Sequence, residues 1–175
     1  MTLMRTIILA LVLFFTTLLN LEVTRAAADR QAFMGLGAGF QVLSREGSGT
    51  GFYFQGHGGY NFDSLIGIGL HAGYSKIGTV NIKVLDFGGF LQLTESNSGF
   101  YGRLYLDGVH ATVPGGHLRH GVKGTQNGFA PGVAAGLLIP PVGDFHMVPE
   151  LGYRLAFLEK TVNLIHGTFN LVWDF

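Results

Sequence analysis

The chain has 175 residues, no cysteine, a formal net charge of zero at pH 7 and a mean hydropathy of +0.35. Zero net charge offers no electrostatic footprint for nucleic acid. The lack of cysteine excludes a disulfide-stapled mini-domain and a lipid anchor on cysteine. Charged residues are only 13% of the chain, yet no second long apolar stretch follows residue 28. The hydrophobicity must therefore be spread as alternation, the signature of membrane-spanning strands.

Met1 to Arg5 is a short basic start, Thr6 to Leu21 is uncharged and apolar, and Ala26-Ala27-Ala28 offers a small-residue cleavage site. This pattern predicts a secretory signal peptide over 1–28. The apolar run is shorter than the roughly 20 residues of a spanning helix. Residues 29–175 then form one domain, 175 − 28 = 147 residues long.

Eight segments in that domain alternate with period two. Gln31–Leu43 sets Met34, Leu36 and Phe40 on one face. Phe52–Phe62 sets Phe52, Phe54, Tyr60 and Phe62 against Gln55, His57 and Asn61. Leu65–Ser75 sets Ile66, Ile68, Leu70 and Tyr74 against His71. Ile82–Thr94 sets Leu85, Phe87 and Leu91 against Asp86 and Gln92, and Gly99–His110 sets Phe100, Leu104 and Leu106 against Arg103, Tyr105 and Asp107. Gly128–Ile139 sets Phe129, Val133 and Leu137 against small residues. Phe145–Leu158 sets Phe145, Met147, Leu151, Tyr153 and Phe157 against His146, Glu150 and Arg154. Only Lys83 carries a charge on the apolar parity of these segments.

The last segment, Asn163–Phe175, puts Ile165, Gly167, Phe169, Leu171, Trp173 and Phe175 on one face and His166, Thr168, Asn170 and Asp174 on the other. An aromatic face running to the final residue suits a strand that meets lipid. Connections alternate between tight turns (Asp63-Ser64, Glu95–Ser98, Pro140–Asp144) and a second set (Ser44–Thr50, Lys76–Asn81, Ala111–Asn127, Glu159–Val162) that includes the longest loop. Short turns on one side place both termini in the periplasm. Pro131 and Pro149 fall inside strands; Pro131 is expected near the outer end and Pro149 at a bulge.

The predicted leader, the eight alternating strands and the Phe169-x-Leu171-x-Trp173-x-Phe175 ending resemble the small eight-stranded outer-membrane β-barrels of the OmpA/OmpX-like kind. The resemblance covers about residues 29–175. It implies an all-β, antiparallel, up-and-down transmembrane barrel in the outer membrane of a Gram-negative cell. It also implies insertion by the barrel-assembly machinery through the terminal signal of Phe169, Leu171, Trp173 and Phe175. It brings no catalytic residues with it.

An eight-stranded barrel is just wide enough for side chains to fill its interior. The inward charges Asp86, Arg103, Asp107, Glu150, Arg154 and Asp174 are therefore expected to pair as a polar plug, with partners from neighbouring strands. The alternative is a gated path for small solutes. A lipid A-modifying enzyme is the other alternative, but the chain has no His-x-Ser, only His110-Ala111-Thr112 and His166-Gly167-Thr168. In the longest loop His117, Arg119, His120 and Lys123 are expected to meet lipopolysaccharide or a surface partner. The spacing of His117 and His120 does not by itself fix a metal site, and no metal or cofactor is expected. The expected protein is a monomeric, non-enzymatic barrel with a structural or surface-contact role.

Overall fold

A computed structural model describes residues 31–44, 49–78, 81–95, 98–113, 124–142 and 145–175. The predicted leader, and His117, Arg119, His120 and Lys123, lie outside the described residues. The strands are β1 (Gln31–Ser44), β2 (Gly49–Asn61), β3 (Ile66–Ile77), β4 (Ile82–Thr94), β5 (Phe100–Val113), β6 (Gly124–Leu137), β7 (Ile139–Val142), β8 (Phe145–Phe157) and β9 (Thr161–Asp174). Every pairing is antiparallel; β1 pairs with β9, and β6 and β7 both pair with β8. Segments β6 and β7 are one strand interrupted at Leu138, so the sheet closes as an eight-stranded barrel.

The closure can be followed residue by residue. Gln41 pairs with His166, His166 with Gly152, Gly152 with Ala134 and Ala134 with Arg103. Arg103 pairs with Gln92, Gln92 with Gly67, Gly67 with Asn61 and Asn61 with Gln31. One circuit thus returns to β1 displaced from residue 41 to residue 31, a stagger of 41 − 31 = 10 residues. With about 3.3 Å rise per residue and about 4.8 Å between strands, that stagger tilts the strands by about 40°.

The expected parity holds in every strand. Phe52, Leu70, Phe87, Leu106, Leu151 and Phe175 are exposed on the outer surface, while Tyr53, Asp86, Tyr105, Asp107 and Arg154 are buried inside. From Phe52 in β2 to Phe62, one residue past its end, the apolar face rises about 25 Å along the barrel axis, the height of a lipid-facing band. The C-terminus is zipped into the wall: Phe175 N donates to Ala32 O at 2.8 Å and Ala32 N donates to Phe175 O at 3.1 Å. Beside it Trp173 and Phe145 pack edge to face, their centroids 4.9 Å apart.

At the end opposite the termini the strands run further than the alternation predicts. β3 continues to Ile77, β5 to Val113, and β6 starts at Gly124. Here the pattern inverts. Ser44, Thr50, Lys76, Lys83, Thr112, Thr125 and Asn163 take the outward parity, while Leu43, Ile77, Ile82, Val84, Val109, Ala111, Val113 and Leu164 pack inside. Lys83 is therefore not alone: Lys76 shares its face directly across the β3–β4 ladder. Apolar-in, polar-out is the arrangement of a barrel in water, so this collar lies beyond the hydrocarbon.

The prolines depart from expectation. Pro131 sits in mid-strand opposite Leu106, not near the end of β6, and Pro149 continues the register from Val148–Asn170 to Glu150–Thr168 without a bulge. The irregularity lies instead between Ile139 and Val142, and Pro140 belongs to β7, not to the turn. Both in-strand prolines fall on the seam with β8. The β6–β8 ladder has no paired residues between Phe129–Phe157 and Gly132–Arg154, next to Pro131. It breaks again after Gly136–Glu150, opposite Pro149. Proline has no N–H to donate, so the seam loses ladder bonds at both places.

Large inward side chains need bare backbone opposite them. A Cβ at Gly132 would meet Arg154 Cγ, and one at Gly152 would meet the His166 ring. This accounts for much of the glycine inside a barrel this narrow.

Two outcomes follow. In hydrogen exchange on the folded protein in bilayers, amides along the β6–β8 seam should exchange before those of the unbroken β1–β2 and β3–β4 ladders. Leu106→Arg, in mid-wall, should lower unfolding stability by about 2–4 kcal/mol, whereas Thr112→Arg in the collar should lower it little.

Candidate functional site: the polar lumen

The inward polar residues come together in two buried clusters. The first is centred on Glu150. Its Oε2 accepts from Arg103 Nη1 at 2.9 Å and from Tyr101 OH at 2.7 Å; its Oε1 accepts from Tyr105 OH at 3.2 Å and faces His166 Nε2 at 3.6 Å. Arg103 Nε donates to Gln92 Oε1 at 2.8 Å, and the guanidinium lies between the rings of Phe90 and Tyr101, 4.7 and 4.8 Å from their centroids. Gln55 Nε2 extends the cluster to Asn170 Oδ1 at 2.7 Å.

The second cluster is centred on Arg154. Its Nη1 donates to Asp86 Oδ1 at 2.7 Å and to Tyr53 OH at 3.0 Å, and its Nε lies 3.3 Å from Asp107 Oδ2. His71 bridges the same two carboxylates, with Nε2 2.8 Å from Asp86 Oδ1 and Nδ1 3.2 Å from Asp107 Oδ1. With His71 protonated, the two cations and two carboxylates sum to zero charge. The clusters touch through aromatic rings: Tyr53 on His166, His71 on Tyr105, and Arg154 over Tyr105 at 4.7 Å.

Pairs with neighbouring strands, as the sequence suggested, are made by Asp174 with His146 and by Asp86 with His71, but the two arginines reach past their neighbours. Arg103 on β5 reaches Glu150 on β8, and Arg154 on β8 reaches Asp86 on β4 and Asp107 on β5. The strand between β5 and β8 is β6, which offers only Gly and Ala to the interior over Gly128–Gly136. Pairing across the lumen is what its small residues leave room for.

Asp174 stands apart from both clusters. It pairs with His146 at 2.7 Å at the terminus end, beside an open cavity of about 280 Å³ that Asn61, Asp63, Gln92 and Arg103 also line. At the opposite end the collar residues Leu43, Ile77, Ile82, Val84, Val109 and Leu164 form an apolar cluster over the polar column. Tyr53 and Tyr101, which the sequence reading did not name, belong to the network, as do Gln55 and Asn170, which it placed on the polar face without counting them in the plug. Their inward parity and their hydrogen-bonding groups were the available signal.

His71, Asp86 and Asp107 offer one ligand atom each within 4.8 Å of one another, a donor set that suits a metal ion. Arg154 already meets both carboxylates, however, so its guanidinium supplies the positive charge that a cation would bring. The two His-x-Thr pairs are separated by the wall. His166 and Thr168 are buried in the lumen. His110 and Thr112 face outward, with His110 Nδ1 2.7 Å from Asn127 Oδ1, and no hydrogen bond joins His110 to Thr112 among the described residues.

The closed all-antiparallel ring of eight strands, greasy outside and polar inside, is the fold of the small eight-stranded outer-membrane β-barrels. The Neisserial surface protein A superposes with a TM-score of 0.68 over 82% of this chain and 97% of its own, at 15% identity. The attachment invasion locus protein of Yersinia pestis superposes with a TM-score of 0.59 over 84% of this chain and 99% of its own, at 12% identity. No family model and no curated protein matches the sequence.

Arg154→Ala would leave Asp86 and Asp107 in a dry interior with only His71 between them. It should cost about 3–5 kcal/mol in denaturant unfolding, whereas Lys83→Ala on the outer surface should cost less than about 1 kcal/mol.

Proposed function

We propose that the protein is an integral outer-membrane barrel with a closed lumen, both termini on the periplasmic side, and a structural or surface-contact role at its loop end. The observation that carries this reading is the filling of the interior. Two ion-paired clusters occupy the middle of the lumen, and an apolar cluster closes the loop end. A hydrated ion would have to displace paired charges and then cross packed Leu, Ile and Val side chains. The similar Yersinia protein is named for attachment and invasion, which suits contact through the loop end.

The orientation is supported by the tight turns at the terminus end. There Asp63 Oδ1 accepts from Leu65 N and Ile66 N, both at 2.7 Å. Barrels keep their short turns on the periplasmic side. Hydrolysis of a lipid ester by the outward His110/Thr112 pair would need His110 to draw a proton from Thr112, and among the described residues His110 is hydrogen-bonded to Asn127 instead.

Planar-bilayer recording tests the closed lumen. The unmodified protein should give no stable unitary current. A persistent open channel whose ion selectivity changes in Arg103→Ala would overturn the plug in favour of a pore.

A further inference from the structure

The lumen accounts for the buried charges and leaves the outward-facing ones without a role. Lys76 and Lys83 are direct cross-strand partners on β3 and β4, and both side chains are exposed on the outer wall. Cβ atoms of such a pair lie about 5 Å apart, and like charges placed so destabilise a sheet. No ion pair to either lysine exists among the described residues. Glu159, the described carboxylate of the loop-end connections, lies beyond β8 and accepts from Gln126 instead.

Their height on the wall is equally specific. One step toward the membrane on the same face, Tyr74 pairs with Leu85, and Phe52 flanks Lys76 on the β2 side. The lysines thus stand where the outer face changes from apolar to polar, at the level of lipid headgroups. Thr112 lies across the next ladder from Lys83, and His110 with its Asn127 partner adds further polar groups alongside.

The rest of the chain repeats this polarity. The strand ends and connections at the loop end carry Arg45, Lys76, Lys83, Arg119, Lys123 and Lys160 against Glu46 and Glu159. From residue 31 onward, the strand ends and connections at the terminus end carry Asp63, Glu95, Asp144 and Asp174 and no Lys or Arg, the nearest guanidinium being that of Arg103, which is paired with Glu150 inside the lumen. A net charge of zero hides a barrel with a cationic loop end and an anionic terminus end.

We propose that Lys76 and Lys83 form a binding site for the phosphate groups of a phosphorylated, multiply acylated glycolipid of the lipid A type, in the leaflet around the loop end. Two ammonium groups on one patch of wall answer a doubly charged phosphate. The apolar surface directly below selects an amphiphile over a free anion, because the acyl chains lie along Tyr74, Leu85 and Phe87 while the headgroup meets the lysines. The site rests on the outer-membrane reading and gives the surface around the loops a lipid partner.

The test uses the full-length folded protein in phosphatidylcholine nanodiscs, with native mass spectrometry counting bound lipid. Bisphosphorylated lipid A and its dephosphorylated form are supplied in equal amounts. A lysine at an anionic surface contributes about fivefold, so the unmodified protein should prefer the bisphosphorylated lipid by about 25-fold. The Lys76→Gln, Lys83→Gln double variant should lose that preference while keeping its heat-modifiable folded band, and the Lys76→Arg, Lys83→Arg variant should keep both. Inorganic phosphate at millimolar concentration should not displace the lipid; displacement would mean that the patch holds a free anion and would overturn the lipid site. Equal retention of the two lipids by the unmodified protein, or an undiminished preference in the glutamine variant, would overturn it as well. Failure of the unmodified protein to insert into the nanodisc would overturn the membrane reading beneath it, an outcome distinct from insertion without selectivity.

Discussion

Inside hydrocarbon no water is present to receive a backbone N–H or C=O, so each must find a partner within the protein. In this chain that requirement is met by wrapping one antiparallel ladder on itself until β1 meets β9. Closure through a ten-residue stagger fixes the strand tilt and, with it, the width of the lumen. The contents of the lumen follow from that width. Tyr53, Arg103, Glu150 and Arg154 project into a space too narrow to keep them solvated separately, so they pair across it. Glycine at positions such as Gly132 and Gly152 makes room for the neighbouring side chain.

The same requirement explains where the barrel is least regular. A proline in a central strand of a closed sheet has no solvent edge on which to hide its missing donor. Pro131 and Pro149 both put that deficit on the β6–β8 seam and leave the other ladders continuous. The small inward residues of β6 lie along the same seam. The strand that contributes least to the lumen is thus also the one bound least completely to its neighbour. Arg103–Glu150 spans the lumen over β6 and ties β5 to β8 independently of that ladder.

The lumen and the collar are two solutions to opposite solvents. Along the lipid-facing wall apolar side chains point out, and the polar ones must satisfy each other inside. Beyond the hydrocarbon Ser44, Thr50, Lys76 and Lys83 turn to the outside, and Ile77, Ile82, Val84 and Leu164 fill the interior as they would in a water-soluble barrel. The apolar collar closes the column of charges below it. The pattern inverts where the apolar belt of the outer surface ends, and Lys76 and Lys83 stand paired at that edge.

Much of this was legible in the sequence because a strand has period two, so a residue's parity reports its solvent without any knowledge of its neighbours. Alternation alone determined the strand number, the inward position of Asp86, Arg103, Asp107, Glu150 and Arg154, and the lipid-facing aromatic run that ends at Phe175. It stopped short of the collar. There Ala111 to Val113 and Lys76-Ile77 keep their parity but reverse their chemistry, and a reading tuned to apolar-out takes such residues for loop. Only the closed tertiary structure decided who pairs with whom. Partners such as Arg154 and Asp86 are 68 residues apart and sit on strands that share no ladder. Their meeting depends on the stagger and diameter of the ring, quantities that belong to the whole sheet and to no single strand.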